Sequence, residues 1–237
     1  MAFPALDEQQ KAALEEMRKQ FPEEEDSVLY RFLKARRFQP SDASKMLSVC
    51  LEWRKEMKVE EIDPKTLKKE LAFRRIYFHK RSKSGRICCV MQPGRHNPKT
   101  SDRDLALRMI IYFLETACSM LQEPTDKFAV VADLSGVGYS NVDMPLSKEV
   151  LRILSDYYPE RLGEAYFVNS PFIFKSIWNV LKVFLDEETR SKFKFVDGKK
   201  GELWSTLRRI ACQSFWAGKA NTFTNRTKMA MARLTSD

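Results

Sequence analysis

Residues 157–196 read YYPERLGEAYFVNSPFIFKSIWNVLKVFLDEETRSKFKFV. Ala165–Val168 is a short apolar run, and so is Phe193–Val196. Each reads as a strand, and the apolar stretch from Phe172 to Leu185 between them has the length of a helix. Strand, helix, strand is the pattern of a sheet with crossover helices. The helix is apolar nearly all round, through Phe172, Ile173, Phe174, Ile177, Trp178, Val180, Leu181, Val183, Phe184 and Leu185. Only Lys175, Ser176, Asn179 and Lys182 interrupt it. A surface helix normally carries one apolar stripe. This one is either a central core helix or a helix with two apolar duties, one face to the protein and one to lipid. On their own, the flanking Tyr157–Gly163 and Phe184–Lys192 read as a helix end and a solvated helix.

Working outward, the same alternation continues toward the N-terminus. Phe128–Ala132 is a continuous apolar strand, followed by Asp133 and Gly136, and a helix runs from Leu146 to Tyr158. Arg86–Met91 follows the turn Ser84-Gly85 and ends at Pro93-Gly94, so it reads as a buried strand. Ser101 with Asp104 three residues on predicts the start of the next helix, through Leu105, Ile110, Phe113, Ala117 and Leu121. A basic helix is expected over Glu202–Cys212. Before about residue 74 there is no sheet signal. Residues 7–57 read as helical, with Ala43, Met46, Leu47, Cys50, Trp53 and Met57 on one face, and Pro64 opens a short basic helix. The expected fold class is α/β, a mixed and mostly parallel sheet joined to a helical N-terminal part.

Composition agrees with this and excludes much else. The chain has 237 residues, 43% hydrophobic, with 16 Phe, 7 Tyr and 4 Trp, which is too apolar for disorder. No charge-free stretch approaches the length of a membrane span. The first residues, MAFPALDEQQKAALEEM, are acidic and lack a basic segment before an apolar run, so no secretory leader is expected there. The formal charge is +9, and residues 188–237 alone carry 11 − 4 = +7. Such an end attracts polyanions, nucleic acid or an anionic membrane surface.

No catalytic constellation emerges. Five cysteines, Cys50, Cys88, Cys89, Cys118 and Cys212, form no CxxC pair, and the histidines are His79 and His96. No structural zinc site can be assembled from them, and reduced buried thiols are expected. Cys89 and Arg95 stand at the Cys-x5-Arg spacing of a thiol phosphatase loop, but a Pro-Gly turn interrupts it and no helix follows directly. Neither Gly198–Gly201 nor Ala217–Ala220 has phosphate-loop spacing.

Taken in chain order, RFLKARRFQPSDASKML and CLEWR (31–54), FHKRSKSGR (78–86), VVADLSGVG (130–138), YYPERLGEAYFVNSPFIF (157–174) and VFLDEETRSKFKFV (183–196) resemble the CRAL-TRIO lipid-binding family. Within it they are most similar to the secretory-pathway phosphatidylinositol transfer proteins. The resemblance covers roughly residues 26–220. It implies an N-terminal helical subdomain over 1–62, a CRAL-TRIO lipid-binding domain over 63–220 and a basic tail over 221–237. It also implies a sheet flooring an apolar pocket that takes up one phospholipid, with a movable gate at about 171–185.

From the resemblance, the headgroup residues are Arg36, Arg37, Glu160, Asp186, Thr189 and Lys192. Arg36, Arg37 and Lys192 would meet phosphate and ring oxygens, and Thr189 would donate to phosphate. Glu160 would orient Lys192 or accept from a hydroxyl. The acyl pocket and gate would use Phe128, Val130, Phe172, Phe174, Ile177, Trp178, Leu181 and Phe184. Members that also carry phosphatidylcholine place Ser and Thr where Phe128 and Val130 stand here, and neither side chain can hydrogen-bond. This argues against phosphatidylcholine at this site and leaves an inositol lipid alone, or an inositol lipid plus some other apolar ligand. A second departure is Phe215–Lys219, which replaces a Leu-Pro…Gly-Gly stretch.

The implied function is binding and transfer of phosphatidylinositol for phosphoinositide synthesis. It would be carried out by a cytoplasmic, peripherally membrane-associated monomer that meets phosphoinositide kinases. No enzyme activity, metal, cofactor or nucleic-acid partner is expected. The rival readings are a carrier of a neutral apolar ligand such as a sterol, squalene or tocopherol, and a non-transferring scaffold for a small GTPase or other protein.

Overall fold

The computed structural model describes residues 5–121 and 125–196. The expected helix Glu202–Cys212, the Phe215–Lys219 stretch and the tail 221–237 lie outside the described residues. The predicted helical N-terminus resolves into α1 (Glu8–Gln20), α2 (Asp26–Ala35) and α3 (Pro40–Glu56). Two of them begin where local chemistry can start a helix. Asp7 and Gln10 form a reciprocal capping box before α1, and Pro40 supplies the fixed φ at the first position of α3. The three helices pack pairwise through the expected apolar faces. Ala43, Met46, Leu47, Cys50 and Trp53 are all buried, as are Leu29, Phe32 and Leu33 of α2.

The chain divides into two compact units. One is Met1–Glu61 with Arg152–Arg161, and the other is Ile62–Leu151 with Leu162–Asp237. A linear boundary near residue 62 does not show that 152–161 returns to the first unit. The reason is tertiary, because Tyr157 and Tyr158 are buried beside Trp53 of α3.

The second unit holds α4 (Lys68–Ala72), β1 (Ile76–Arg81), β2 (Ile87–Met91), α5 (Arg103–Ser119), β3 (Phe128–Asp133), most of α6 (Met144–Asp156), β4 (Leu162–Val168), α7 (Phe172–Leu181), α8 (Glu187–Ser191) and β5 (Phe193–Val196). The strands lie in the order β1-β2-β3-β4-β5. Only the β1–β2 pair is antiparallel, so the sheet is mixed and mostly parallel as expected. Val90, Val131 and Val168 stack across three strands as one core, with Tyr77, Tyr166 and Val196 packed on it.

Two details depart from the expectations. β1 has no counterpart in them, because His79, Lys80 and Arg81 mask its apolar residues. The cap of α5 is Asp102, whose carboxylate accepts from the Leu105 N–H at 3.1 Å. Ser101 instead donates to Glu70 at 3.0 Å. That carboxylate is fully buried beside Arg75, and a hydroxyl donor there is worth more than a second cap.

Candidate functional site

Arg36 and Arg37 follow α2, whose last turn closes through hydrogen bonds from Arg37 N–H to Lys34 O (3.1 Å) and Phe38 N–H to Leu33 O (2.7 Å). Glycine usually takes the left-handed position in such a closure. Here Arg37 (φ 52°) and Phe38 (φ 57°) take it, and both arginines are solvent-exposed. A non-glycine residue held at positive φ stores of order 1 kcal/mol of strain, and such strain clusters at functional positions.

Glu160 is also left-handed, at φ 60°. Its carboxylate is 2.9 Å from Lys34 Nζ, and its side chain is only 8% exposed. The structure therefore places Glu160 against the last-turn cation of α2, two residues before Arg36. Glu160 was expected to orient Lys192 or accept from a hydroxyl, and the ion pair with Lys34 is an addition to that expectation. Lys34 was missed, although it lies inside the quoted RFLKARR segment. Nothing local in the sequence marks it as the partner of a residue so distant.

The segment carrying Glu160 is firmly seated. The Tyr157 ring stacks on Trp53 at 4.0 Å between centroids, and Tyr158 meets Trp53 edge-on at 6.3 Å. Arg152 donates to the Tyr157 hydroxyl at 2.7 Å, and Cys50 Sγ–H points at the Tyr157 carbonyl at 3.6 Å. Each of these bonds is directional, so Glu160 has little positional freedom.

Asp186, Thr189 and Lys192 belong to the second unit and share the single-turn helix α8. Asp186 is its N-cap and accepts from the Thr189 N–H at 2.8 Å. Lost hydration opposes ionisation of Asp186. The Thr189 backbone and hydroxyl bonds and the charge of Lys192 outweigh it, so the carboxyl is held below its usual range. The Thr189 hydroxyl is thus engaged locally, and a phosphate would have to compete for it. Lys192 is largely buried along its stem, with Nζ 3.2 Å from Glu188.

The gate residues fall on two faces of α7. Phe174 and Leu181 are buried, and Ile177 and Trp178 are half-buried. Phe167 of β4 is the hub beneath them, 4.8 Å from Phe174, 4.9 Å from Trp178 and 5.4 Å from Phe193 between centroids. Phe172 and Phe184, expected in the same set, point outward at 88% and 47% exposure. Helical periodicity is the cause, since Phe172 and Phe174 lie 200° apart around the axis at about 100° per residue. Phe128, Val130 and Ala132 alternate onto one face of β3. Ala132 belongs to the α7 cluster with Phe167 and Phe174, so α7 covers the sheet face that carries Phe128 and Val130. Phe167 was not singled out from the sequence, although its place opposite Ala132 follows once the strands are paired.

Cys89 lies mid-strand in β2, and burial together with the adjacent Cys88 pushes its thiol up to about 12. That is the opposite of an activated nucleophile. Among the described residues no helix is long and apolar enough to cross a membrane.

A family model described as the CRAL/TRIO domain matches residues 74–213, and one described as the CRAL/TRIO N-terminal domain matches residues 3–48. A protein named SEC14 cytosolic factor from Eremothecium gossypii is 33% identical over 79% of this chain and 68% of its own length. A CRAL-TRIO domain-containing protein from Schizosaccharomyces pombe is 32% identical over 70% of this chain. Several curated relatives are much longer, and the chain spans 16% to 38% of their length. The crystal structure of Sfh5 shares the fold, with a TM-score of 0.68, 23% identity and 82% of each chain covered.

Proposed function

The chain belongs to the CRAL/TRIO family, and on that premise we propose that it is a lipid-binding and transfer protein whose cargo is phosphatidylinositol. The observation that carries the reading is the double apolarity of α7. Its inner face, Phe174, Ile177, Trp178 and Leu181, lies over a sheet face bearing Phe128 and Val130. Its outer face and the following turn leave Phe172, Val180, Val183 and Phe184 exposed. Keeping such a surface in water costs roughly 1.5–3 kcal/mol per large side chain, and contact with a bilayer would offset that cost. A helix of this kind can part from the sheet at a membrane without exposing apolar surface to water.

The energetics of such a carrier are those of exchange. Acyl burial releases about 0.8 kcal/mol per CH₂ relative to water, and a bilayer offers nearly the same. Cargo identity is then decided by headgroup contacts. Arg36, Arg37 and Lys192 supply cations suited to a phosphodiester, and the Lys34–Glu160 pair supplies a donor and an acceptor for ring hydroxyls. Phe128 and Val130 offer no hydrogen bond, which supports inositol lipid over phosphatidylcholine. In this reading the protein is a cytoplasmic monomer that visits membranes and presents its cargo to phosphoinositide kinases, with no chemistry of its own.

The test is lipid pick-up. Purified protein is incubated with liposomes of mixed eukaryotic lipids, re-isolated and extracted, and bound species are identified by mass spectrometry. About one phosphatidylinositol per protein, with little phosphatidylcholine, is expected. A neutral lipid or phosphatidylcholine alone would show that the ligand and headgroup residues are misassigned.

A further inference from the structure

Tyr139 and Phe172 are the two most exposed large hydrophobic side chains among the described residues, at 90% and 88%. Tyr139 follows β3 and Phe172 follows β4. The two strands are parallel, so both residues leave the sheet at the same edge. A singly exposed aromatic residue is unremarkable, but two on one rim call for a cause.

The loops of this rim are bound to one another. Gly94, after β2, approaches the loop after β3 so closely that a Cβ would clash with the Ser135 carbonyl oxygen. Asn141 donates to the carbonyls of Gly94 (3.0 Å) and His96 (2.9 Å), while its own side-chain oxygen accepts from Gly138 N–H at 3.1 Å. Asp133 accepts from Gln92 (3.2 Å) and Asn169 (2.9 Å), joining the ends of β2 and β4. Val137 packs on the aromatic cluster under α7. Tyr139 therefore projects from a braced turn, between the anchored Gly138 and Asn141.

The charge around it is suited to a particular surface. Arg95, Lys99 and Lys175 are exposed on the same rim. The exposed acids there, Asp102 and Asp104, sit at the start of α5, where Asp102 is engaged as its cap, while Asp133 and Asp143 accept hydrogen bonds from Ser135, Asn169 and Leu146 and are largely buried. Cations beside projecting aromatics match a bilayer of anionic lipid, whose headgroup boundary accepts a ring with a polar tip.

We propose that this rim is a fixed docking edge for an anionic bilayer surface, with Tyr139 inserting beside Phe172 while the rest of α7 remains free to move. The proposal rests on the lipid-carrier reading and assigns it an orientation at the membrane.

The test uses the full chain in flotation with vesicles of phosphatidylcholine and phosphatidylserine, alongside the lipid load by mass spectrometry. Tyr139→Ser should weaken vesicle binding roughly tenfold, about 1.4 kcal/mol, and Tyr139→Trp should restore it. Lipid load at saturating vesicles should be unchanged in both, because Tyr139 lies outside the pocket and headgroup sets. Equal flotation of wild type and Tyr139→Ser overturns the docking edge, whatever the lipid load. So does a vesicle-independent dimer that Tyr139→Ser breaks, which would give the rim to a second copy of the chain. Wild type that floats in a Tyr139-dependent way but carries no lipid leaves the edge standing and overturns the carrier reading.

Discussion

The segment Tyr157–Arg161 and the helix α7 lie close together in sequence, yet they are held in opposite ways. The first is fixed by contacts that have a direction: a ring stack on Trp53, a hydrogen bond from Arg152 and an ion pair from Lys34 to Glu160. The second rests on Phe167, Phe193 and Phe195 through ring contacts of Phe174 and Trp178 at several angles, from tilted to edge-on. Directional bonds lose their value when displaced by an ångström, whereas apolar packing tolerates re-seating against a different apolar partner. A carrier needs both kinds of hold. Its headgroup contacts must stay in place while the cover moves.

Four measurements can break or sharpen this contrast. The largest effect is expected from Trp53→Ala, which removes a buried side chain and both tyrosine contacts. A loss of about 3–5 kcal/mol in urea unfolding is expected, and a loss below 1 kcal/mol would show that the anchor is not rigid. Lys192→Ala comes next, acting on cargo and not on the fold. Removing a charged hydrogen-bond donor should cost about 1.5–3 kcal/mol of phosphatidylinositol affinity. Stability should change little, because its partner Glu188 is exposed. Normal loading of this variant would remove Lys192 from the headgroup site.

Trp178→Ala is the matched truncation in α7. With its ring only half-buried, it should lose about 1–2 kcal/mol, less than Trp53→Ala, while lipid exchange between vesicles becomes faster. Slower exchange would mean that Trp178 is needed for opening and not for closure.

The smallest effect is pH dependence, and it separates the two units. Both histidines, His79 and His96, belong to the second unit. Burial lowers the pKa of each, helped by Lys80 at His79 and by Arg75 at His96. His96 Nδ1 accepts from Arg75, so its proton sits on Nε2, which faces Asp143 at 3.5 Å. A histidine with a depressed folded pKa favours the native state fully above its ordinary value, near 6.5. That stability is lost as pH falls below it. As pH falls from about 6.5 toward 5, the second unit should weaken while the first is unaffected. Hydrogen exchange measured unit by unit would show it. Protection falling first around Trp53 would reverse the assignment.

Much of the fold was legible because its signals are local. The apolar face of α3, the strand runs at 87–91, 128–133 and 193–196 and the full apolarity of α7 are all read within a few residues of each site. The candidate site was legible only as a set of residue types. Arg36 and Arg37 sit in a recognisable segment, but the strained φ at Arg37 appears only when the helix end is built. The reading of Phe184–Lys192 as a solvated helix is physically apt for Glu187–Ser191, which Asp186 caps whatever else it does.

By itself, the sequence determined the alternation of strands and helices, the helical N-terminus and the nearly all-round apolarity of residues 172–185. Hydrophobic periodicity encodes these, and it has a range of one or two turns. Only the tertiary structure decided that Glu160 pairs with Lys34, that residues 152–161 join the first helices and that β1 lies antiparallel on β2. The same holds for the braced rim that carries Tyr139. Each of these depends on groups far apart in the chain, and their pairing is settled by which buried charges and carbonyls find partners once the core has closed.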